Sequence, residues 1–210
     1  NTILGIKNKA ALNRHRETLG TEAADAWAET TRNWGSQVHG IIERVNHGEC
    51  ITGDEFNGYP PQVRNCCFAY DRWRESVGFK VQHAECTVFS LTYRYAGTLD
   101  LHGRARIPRK AIMLGDIKTI GEQGSLWDTG LMQLAAYWMA YVEMYPSRPI
   151  DEARLIGLNR DTNDFIEARL EARDMPEAFR AFLGLFEAWK FETKWGERIA
   201  TGRPNAPVMA

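Results

Sequence analysis

The sequence predicts an α/β fold: a central sheet flanked by helices, with a helical region ahead of it. Three observations predict it. The hydrophobic pattern runs helices, three strands, a helix, two strands, a helix. The segment "KAIMLGDIKT" is apolar on both faces before its charges, as a covered central strand is. With 210 residues and 44% hydrophobic content, the chain suits one compact domain. Residues 1–80 read as its mainly helical part and 81–200 as the α/β core, and no composition shift marks a second domain.

Residues 1 to 48 read as helical. Val38, Ile41, Ile42 and Val45 fall at the i, i+3, i+4, i+7 positions of one buried face. "GECITGDEFNGYPP" reads as a loop. A second helix is expected from about Gln62 to Val77, with Val63, Cys66, Tyr70, Trp73 and Val77 in phase and Gly78 as its stop. "TVFSLTYRY" alternates as a strand, with Phe89, Leu91, Tyr93 and Tyr95 facing one way. "AGTLDLHG" and "KAIMLGDIKT" follow as strands. "DTGLMQLAAYWMAYVEMY" is a helix with Asp128 as its expected N-cap. "EARLIGLNR" and "DFIEARLEA" are two more strands, joined near Asp161–Asn163. A long helix closes the chain. Asp174 and Glu177 have capping-box spacing, Pro176 sits in the first turn, and Phe179, Phe182, Phe186 and Trp189 form the apolar stripe.

The formal net charge is −1, so nucleic-acid contact must come from local patches rather than a global basic field. Cys50, Cys66, Cys67 and Cys86 form no CxxC pair, which argues against a disulfide framework or zinc site and fits a reducing cytosol. No apolar run reaches the ~20 residues a membrane span needs, and no signal peptide is read. The expected location is the cytoplasm of a bacterial or phage-infected cell.

Side chains in a strand alternate faces. In "KAIMLGDIKT", Ile112, Leu114, Asp116 and Lys118 share one face, and Met113, Gly115, Ile117 and Thr119 the other. A carboxylate and an ammonium therefore stand together at the strand's C-terminal end, where open α/β sheets usually hold ligands. Asp100 lies between Leu99 and Leu101 and should point away from their face, with Gly97 permitting close backbone approach. On neighbouring strands, Asp100 and Asp116 could converge. Two carboxylates so placed cannot both ionise cheaply without a cation, and a hard divalent ion would relieve them. The ordinary alternative is a surface ion pair of Asp116 with Lys118 and a turn role for Asp100. A short D-x-K alone does not decide between these.

The ordered set "GSQVHG", "AECTVF", "GTLD", "GDIKT" and "QLAAY" resembles the RecB-like branch of the PD-(D/E)xK nuclease superfamily. The likeness is nearest to phage-type exonucleases and the mitochondrial genome maintenance exonuclease. It spans almost the whole chain, including the opening "TILGIKNKAAL". The resemblance implies a restriction-endonuclease-like core with a mixed sheet. It also implies a divalent metal, Mg²⁺ or Mn²⁺, as one or two ions. His39, Asp100, Asp116 and the Ile117 carbonyl would hold it, and Lys118 matches the catalytic lysine. Gln133 and Tyr137 match a helix beside the site. Glu85 matches a first-strand glutamate whose role stays open between a water-mediated metal contact and a strand-edge ion pair. Thr119 is a candidate for holding Lys118 or touching phosphate, or is simply a β-former. Read alone, a histidine such as His39 is more often half-buried and satisfied than a ligand, and Gln133 and Tyr137 would be ordinary helix residues. The related CRISPR-associated branch carries an iron–sulfur cluster on late cysteines; none follows Cys86 here, so no such cluster is expected. No G-x-x-x-x-G-K-[ST] loop occurs.

The expected activity is metal-dependent hydrolysis of DNA phosphodiester bonds from free ends, preferably of single strands, in recombination, repair or replication alongside proteins of those processes. A flap endonuclease using the same site and a catalytically silent DNA-binding module are the alternatives. Lys7, Lys9, Arg14 and Arg16, together with Arg104, Arg106, Arg109 and Lys110, are candidate phosphate contacts. Trp34, Tyr93, Tyr95 and Trp127 are candidate base-stacking groups.

Overall fold

The computed structural model describes residues 3–4, 13, 16–121, 124, 126 and 128–201. Among the described residues, α1 (Thr21–Asn46), α2 (Gly53–Asn57) and α3 (Pro61–Ser76) precede the sheet. Then follow β1 (Lys80–Ser90), β2 (Tyr95–Ala105), β3 (Ala111–Ile120), α4 (Asp128–Met144), β4 (Glu152–Asn159), β5 (Phe165–Glu171) and α5 (Met175–Thr201). The five strands form one sheet in sequence order. β3 and β4 run parallel, joined by α4, and every other neighbouring pair is antiparallel. The expected α/β architecture is therefore present: N-terminal helices and a mixed sheet flanked by helices. Among the described residues no helix is long and apolar enough to cross a membrane.

Each sheet face has its own core. α1 and α3 cover one face, packing Val38, Ile41, Tyr70 and Trp73 onto Leu101, Met113 and Ile117. α4 and α5 cover the other, packing Leu134, Ala136, Phe179 and Phe182 onto Leu99, Leu114 and Leu155. Strands covered on both sides need apolar residues on both sides. β4 shows this most fully, since all eight of its residues are buried.

Several expected elements change shape. The "TVFSLTYRY" strand is not continuous: Leu91–Arg94 form a turn between β1 and β2. Glu143 of α4 grips that turn, accepting hydrogen bonds from Ser90 Oγ at 2.6 Å and Leu91 N at 2.9 Å. Arg94 takes φ 60 at its end. The alternating pattern runs across the turn and conceals it. The strand also begins earlier, at Lys80, because β1 is the edge of the sheet and its first half is mostly exposed and polar. The loop read in "GECITGDEFNGYPP" contains α2, whose start is capped by Thr52 Oγ1 accepting from Glu55 N at 3.2 Å. Asp174 and Glu177 do not form the expected capping box. The Asp174 carboxylate accepts from Glu171 N at 3.1 Å, and Asp174 N donates to the Glu171 carbonyl at 2.8 Å. The opening "TILGIKNKAAL" lies almost wholly outside the described residues, as do Lys7, Lys9, Arg14 and Trp127.

Candidate metal and phosphate site

The pairing of β2 with β3 runs from Ala105–Ala111 to Leu101–Gly115. One position further on, Asp100 and Asp116 stand opposite each other, and the ladder gives way to a side chain. Asp100 Oδ2 accepts the Ile117 N–H at 2.6 Å. The carboxylate so fills the place of a strand carbonyl and holds the two strands apart at their acid-bearing ends.

Asp100 does not simply point away from Leu99 and Leu101. Leu99 packs into the core under α4 and α5, while Leu101 packs into the core under α1 and α3. Side chains two apart should share a face, so the alternation breaks at Asp100. β1 breaks at the same level. Glu85 lies opposite Asp100, between the Ala84–Leu101 and Cys86–Leu99 pairs, and takes φ 49. A left-handed residue in a strand re-aims its side chain. Both carboxylates thereby turn toward one point.

His39 reaches that point from α1. Its Nδ1 lies 3.5 Å from Glu85 Oε1 and 3.6 Å from Asp100 Oδ1. One ligand atom from each of the three lies within 4.8 Å of the others. Ligand atoms around one small cation stand ~3 to ~4 Å apart when the bonds are about 2.1 Å long. The donor set suits such an ion, a hard one by its two oxygens and one borderline by its imidazole.

Asp116 is buried behind this triad, and Lys118 Nζ lies 2.6 Å from its Oδ2. That contact is one of charge rather than an aligned hydrogen bond. Lys118 Nζ also donates to Gln133 Oε1 at 3.2 Å, and Gln133 Nε2 donates to Tyr137 Oη at 2.5 Å. Ammonium, amide and phenol thus form a chain from β3 to α4. A Cβ on Gly97 would collide with the Tyr137 ring, so the glycine makes room for that ring.

The charges of the site are short of compensation. Burial, then repulsion from Asp116, pushes the Asp100 carboxyl up to about 7, against the pull of His39, the Ile117 N–H and Lys118. Burial also raises Asp116, although Lys118 opposes it. Burial works against the charged form of His39, yet the neighbouring Glu85 and Asp100 carboxylates hold the imidazole above its ordinary value. Glu152 and Arg154 of β4 give the contrast. Both are fully buried, and Arg154 donates to Glu152 Oε1 at 2.6 and 2.8 Å. Those buried charges neutralise each other, as a structural pair does, whereas Glu85, Asp100 and Asp116 share one lysine and one histidine.

A cavity of about 430 Å³ opens beside the acids. Asp100, Asp116, Lys118, Gln133 and Tyr137 form its polar end, and Leu4, Tyr95, Ala136 and Phe182 are among its apolar walls. The structure therefore brings together His39, Glu85, Asp100, Asp116, Lys118, Gln133 and Tyr137. Glu85 stands in the triad, while Asp116 is turned to Lys118. Ile117 contributes its N–H, and its side chain is core. Thr119 is not at the cavity: it lies on the opposite face of β3, where its Oγ1 would be 3.5 Å from a Cβ on Gly35 of α1. Phe182 was not legible as a site residue, because it belongs to a plain apolar stripe, whereas the close approach expected at Gly97 is made by the Tyr137 ring.

The surface groups divide. Arg104, Arg106 and Lys110 join Lys80 in a basic groove of about 530 Å³. It lies at the other end of β2 and β3, Arg104 being four residues, or ~13 Å, from Asp100. Arg109 approaches Glu152 at 3.9 Å and Glu171 at 3.7 Å, and Arg16 pairs with Asp25 at 2.8 Å. Tyr93 and Tyr95 pack against α5, each with a ring centroid 5.1 Å from a phenylalanine, Phe179 and Phe182 respectively, so they are not open stacking groups.

No protein-family model matches the chain, and no curated protein sequence does. Fourteen solved chains match it. One is the crystal structure of SSO0001, at 16% identity and a TM-score of 0.35. That match covers 67% of this chain and 57% of SSO0001, so the chain spans little more than half of that protein's length.

Proposed function

We propose that the chain is a divalent-metal-dependent deoxyribonuclease that hydrolyses phosphodiester bonds from free ends of single-stranded DNA. The observation that carries this reading is the gathering of Glu85, Asp100 and His39 around one gap, with Lys118 lining the cavity that Asp100 shares. A structural ion pair would be compensated, whereas this group has more acid than base. The resemblance to RecB-like nucleases supports the same reading, and it suggests a place in recombination, repair or replication.

Glu85, Asp100 and His39 would hold the Mg²⁺ or Mn²⁺ ion, with Asp116 behind them. When bound, such an ion polarises a phosphate and lowers the pKa of a nearby water. The chain's own groups do the rest. Asp116 and Gln133 fix the Lys118 ammonium from two sides. Lys118 then meets the negative charge that develops on the phosphate, and its Nζ holds a proton at the reacting oxygens. Tyr137 keeps Gln133 from rotating away. The cavity has the size of a small-molecule pocket, within the range of ~300–1,000 Å³.

The test is cleavage of end-labelled linear and circular single strands in Mg²⁺, Mn²⁺ or EDTA, comparing wild type with Asp100→Asn. The amide keeps an acceptor for Ile117 N and loses the charge. Metal-dependent release of short products from linear strands only, abolished by the substitution, is expected. Cutting of circles would instead make the protein an endonuclease. Binding without cleavage in every metal would make it a DNA-binding module.

A further inference from the structure

We propose that Trp27, Trp34 and Arg160 form a stacking platform for unpaired bases of a nucleic-acid strand that leaves the candidate site along α1. This rests on the nuclease reading above. Trp27 and Trp34 are seven apart on α1, which puts them on one helix face. Their rings meet edge to face at 5.7 Å. The Arg160 guanidinium lies 5.5 Å from the Trp27 ring centroid and 5.9 Å from that of Trp34. Trp27 remains 43% exposed, so a large part of the indole is left to water.

Arg160 is held at its backbone. Its N–H donates to the Ile120 carbonyl at 3.0 Å, and its own carbonyl accepts from Asn65 Nδ2 at 2.8 Å. The guanidinium lies over Gly121, where a Cβ would come 2.9 Å from Nη2. Its Nε is buried without a hydrogen-bond partner, and its contact with Asp161 is long, at 3.9 Å. A part-exposed indole and a guanidinium whose carboxylate contact is long seek different things. One needs a flat apolar surface and the other an anion. A nucleotide supplies both, with base on indole and phosphate on guanidinium.

The cluster shares α1 with His39, although Gly35, next to Trp34, meets Thr119 on the face of β3 opposite the cavity. By helix rise, Trp34 stands ~8 Å and Trp27 ~18 Å along α1 from His39. A strand whose phosphate lies at the acids would reach the platform within a few nucleotides.

The test is the affinity of the full chain for a labelled oligothymidylate of about 15 nucleotides, relative to a dithymidylate that cannot span α1, measured with metal omitted. Wild type should favour the long strand. Trp27→Ala should lower that ratio about tenfold, and Trp27→Phe should restore most of it. An unchanged ratio in Trp27→Ala, or Phe behaving as Ala, overturns the platform while leaving the nuclease reading intact if wild type cleaves. Cleavage by a wild type that shows no preference for the long strand also overturns it. A wild type that neither binds nor cleaves DNA overturns both.

Discussion

Glu85 and Asp100 stand opposite each other across β1 and β2, at the level where each strand loses its side-chain alternation. Regular strands would have sent these carboxylates to positions set by the pleat. The left-handed turn of Glu85 and the roll at Asp100 instead direct both toward His39. Two like charges have been brought together in a partly buried place, and backbone regularity has been given up to do it. That combination costs the fold stability, and a bound cation would offset the cost.

Glu85 therefore separates stability from function. With φ 49, its backbone carries a cost of ~1 kcal/mol that glycine escapes and alanine does not. Glu85→Gly should be more stable than Glu85→Ala by about that amount and so melt higher. Both should lose at least tenfold in activity and most of the rise in melting temperature that Mn²⁺ gives wild type. Equal melting of the two variants would show the backbone to be unstrained.

Lys118→Ala should reduce cleavage by ~10²–10³-fold, the usual effect of removing a donor to developing charge. The side chain is 37% exposed, so little packing is lost, but buried Asp116 loses its nearest cation and the metal-free variant should melt somewhat lower than wild type. The Mn²⁺-induced rise in melting temperature should persist, because Glu85, Asp100 and His39 remain. Rate and melting curve on one preparation check this. A variant that cleaves at near wild-type rate would remove Lys118 from the mechanism.

The face carrying Asp116 and Lys118 was legible because β3 obeys strict alternation between two apolar cores. His39 and the Gln133–Tyr137 pair were legible only as members of a spaced set. The rest was hidden for local reasons. Glu85 adopts a positive φ without being glycine, so nothing in its residue type announces the break. Leu99 and Leu101 look like one face, yet they enter different cores because β2 rolls between them. The β1–β2 turn is held by Glu143, fifty-odd residues away in sequence, and local patterning cannot show such a contact.

Gly97 supplies a test of the Lys118–Gln133–Tyr137 chain from outside it. Gly97→Ala would drive a methyl into the Tyr137 ring and displace it. Misplacing a positioning group by about 1 Å costs up to ~10²-fold, so a loss of about 10- to 100-fold in kcat is expected. Adding Gly97→Ala to Tyr137→Ala should cost little more than Tyr137→Ala alone, because the ring it strikes is gone. Additive losses would mean that Gly97 acts on the site by another route.

Away from the acids, His102 should shape the pH dependence of stability. Its ring is buried, stacked at 5.0 Å on Tyr141 and 5.5 Å on His83. Nε2 faces Tyr141 Oη at 3.2 Å, while Nδ1 is buried with no partner. A second ring proton would have no acceptor. Burial, and then the positive charges of His83, Arg148 and Arg104, bring the imidazole down to about 4 from 6.5. The unfolded chain takes up a proton below about 6.5 that the folded chain refuses until about 4. The contribution is therefore complete above the first value, is lost as the pH falls between the two, and changes no further below the second. It amounts to at most about 3 kcal/mol. His102→Phe keeps the stacking and cannot titrate. Its melting temperature should fall less steeply than that of wild type over this interval, and parallel curves would exclude His102 as the cause.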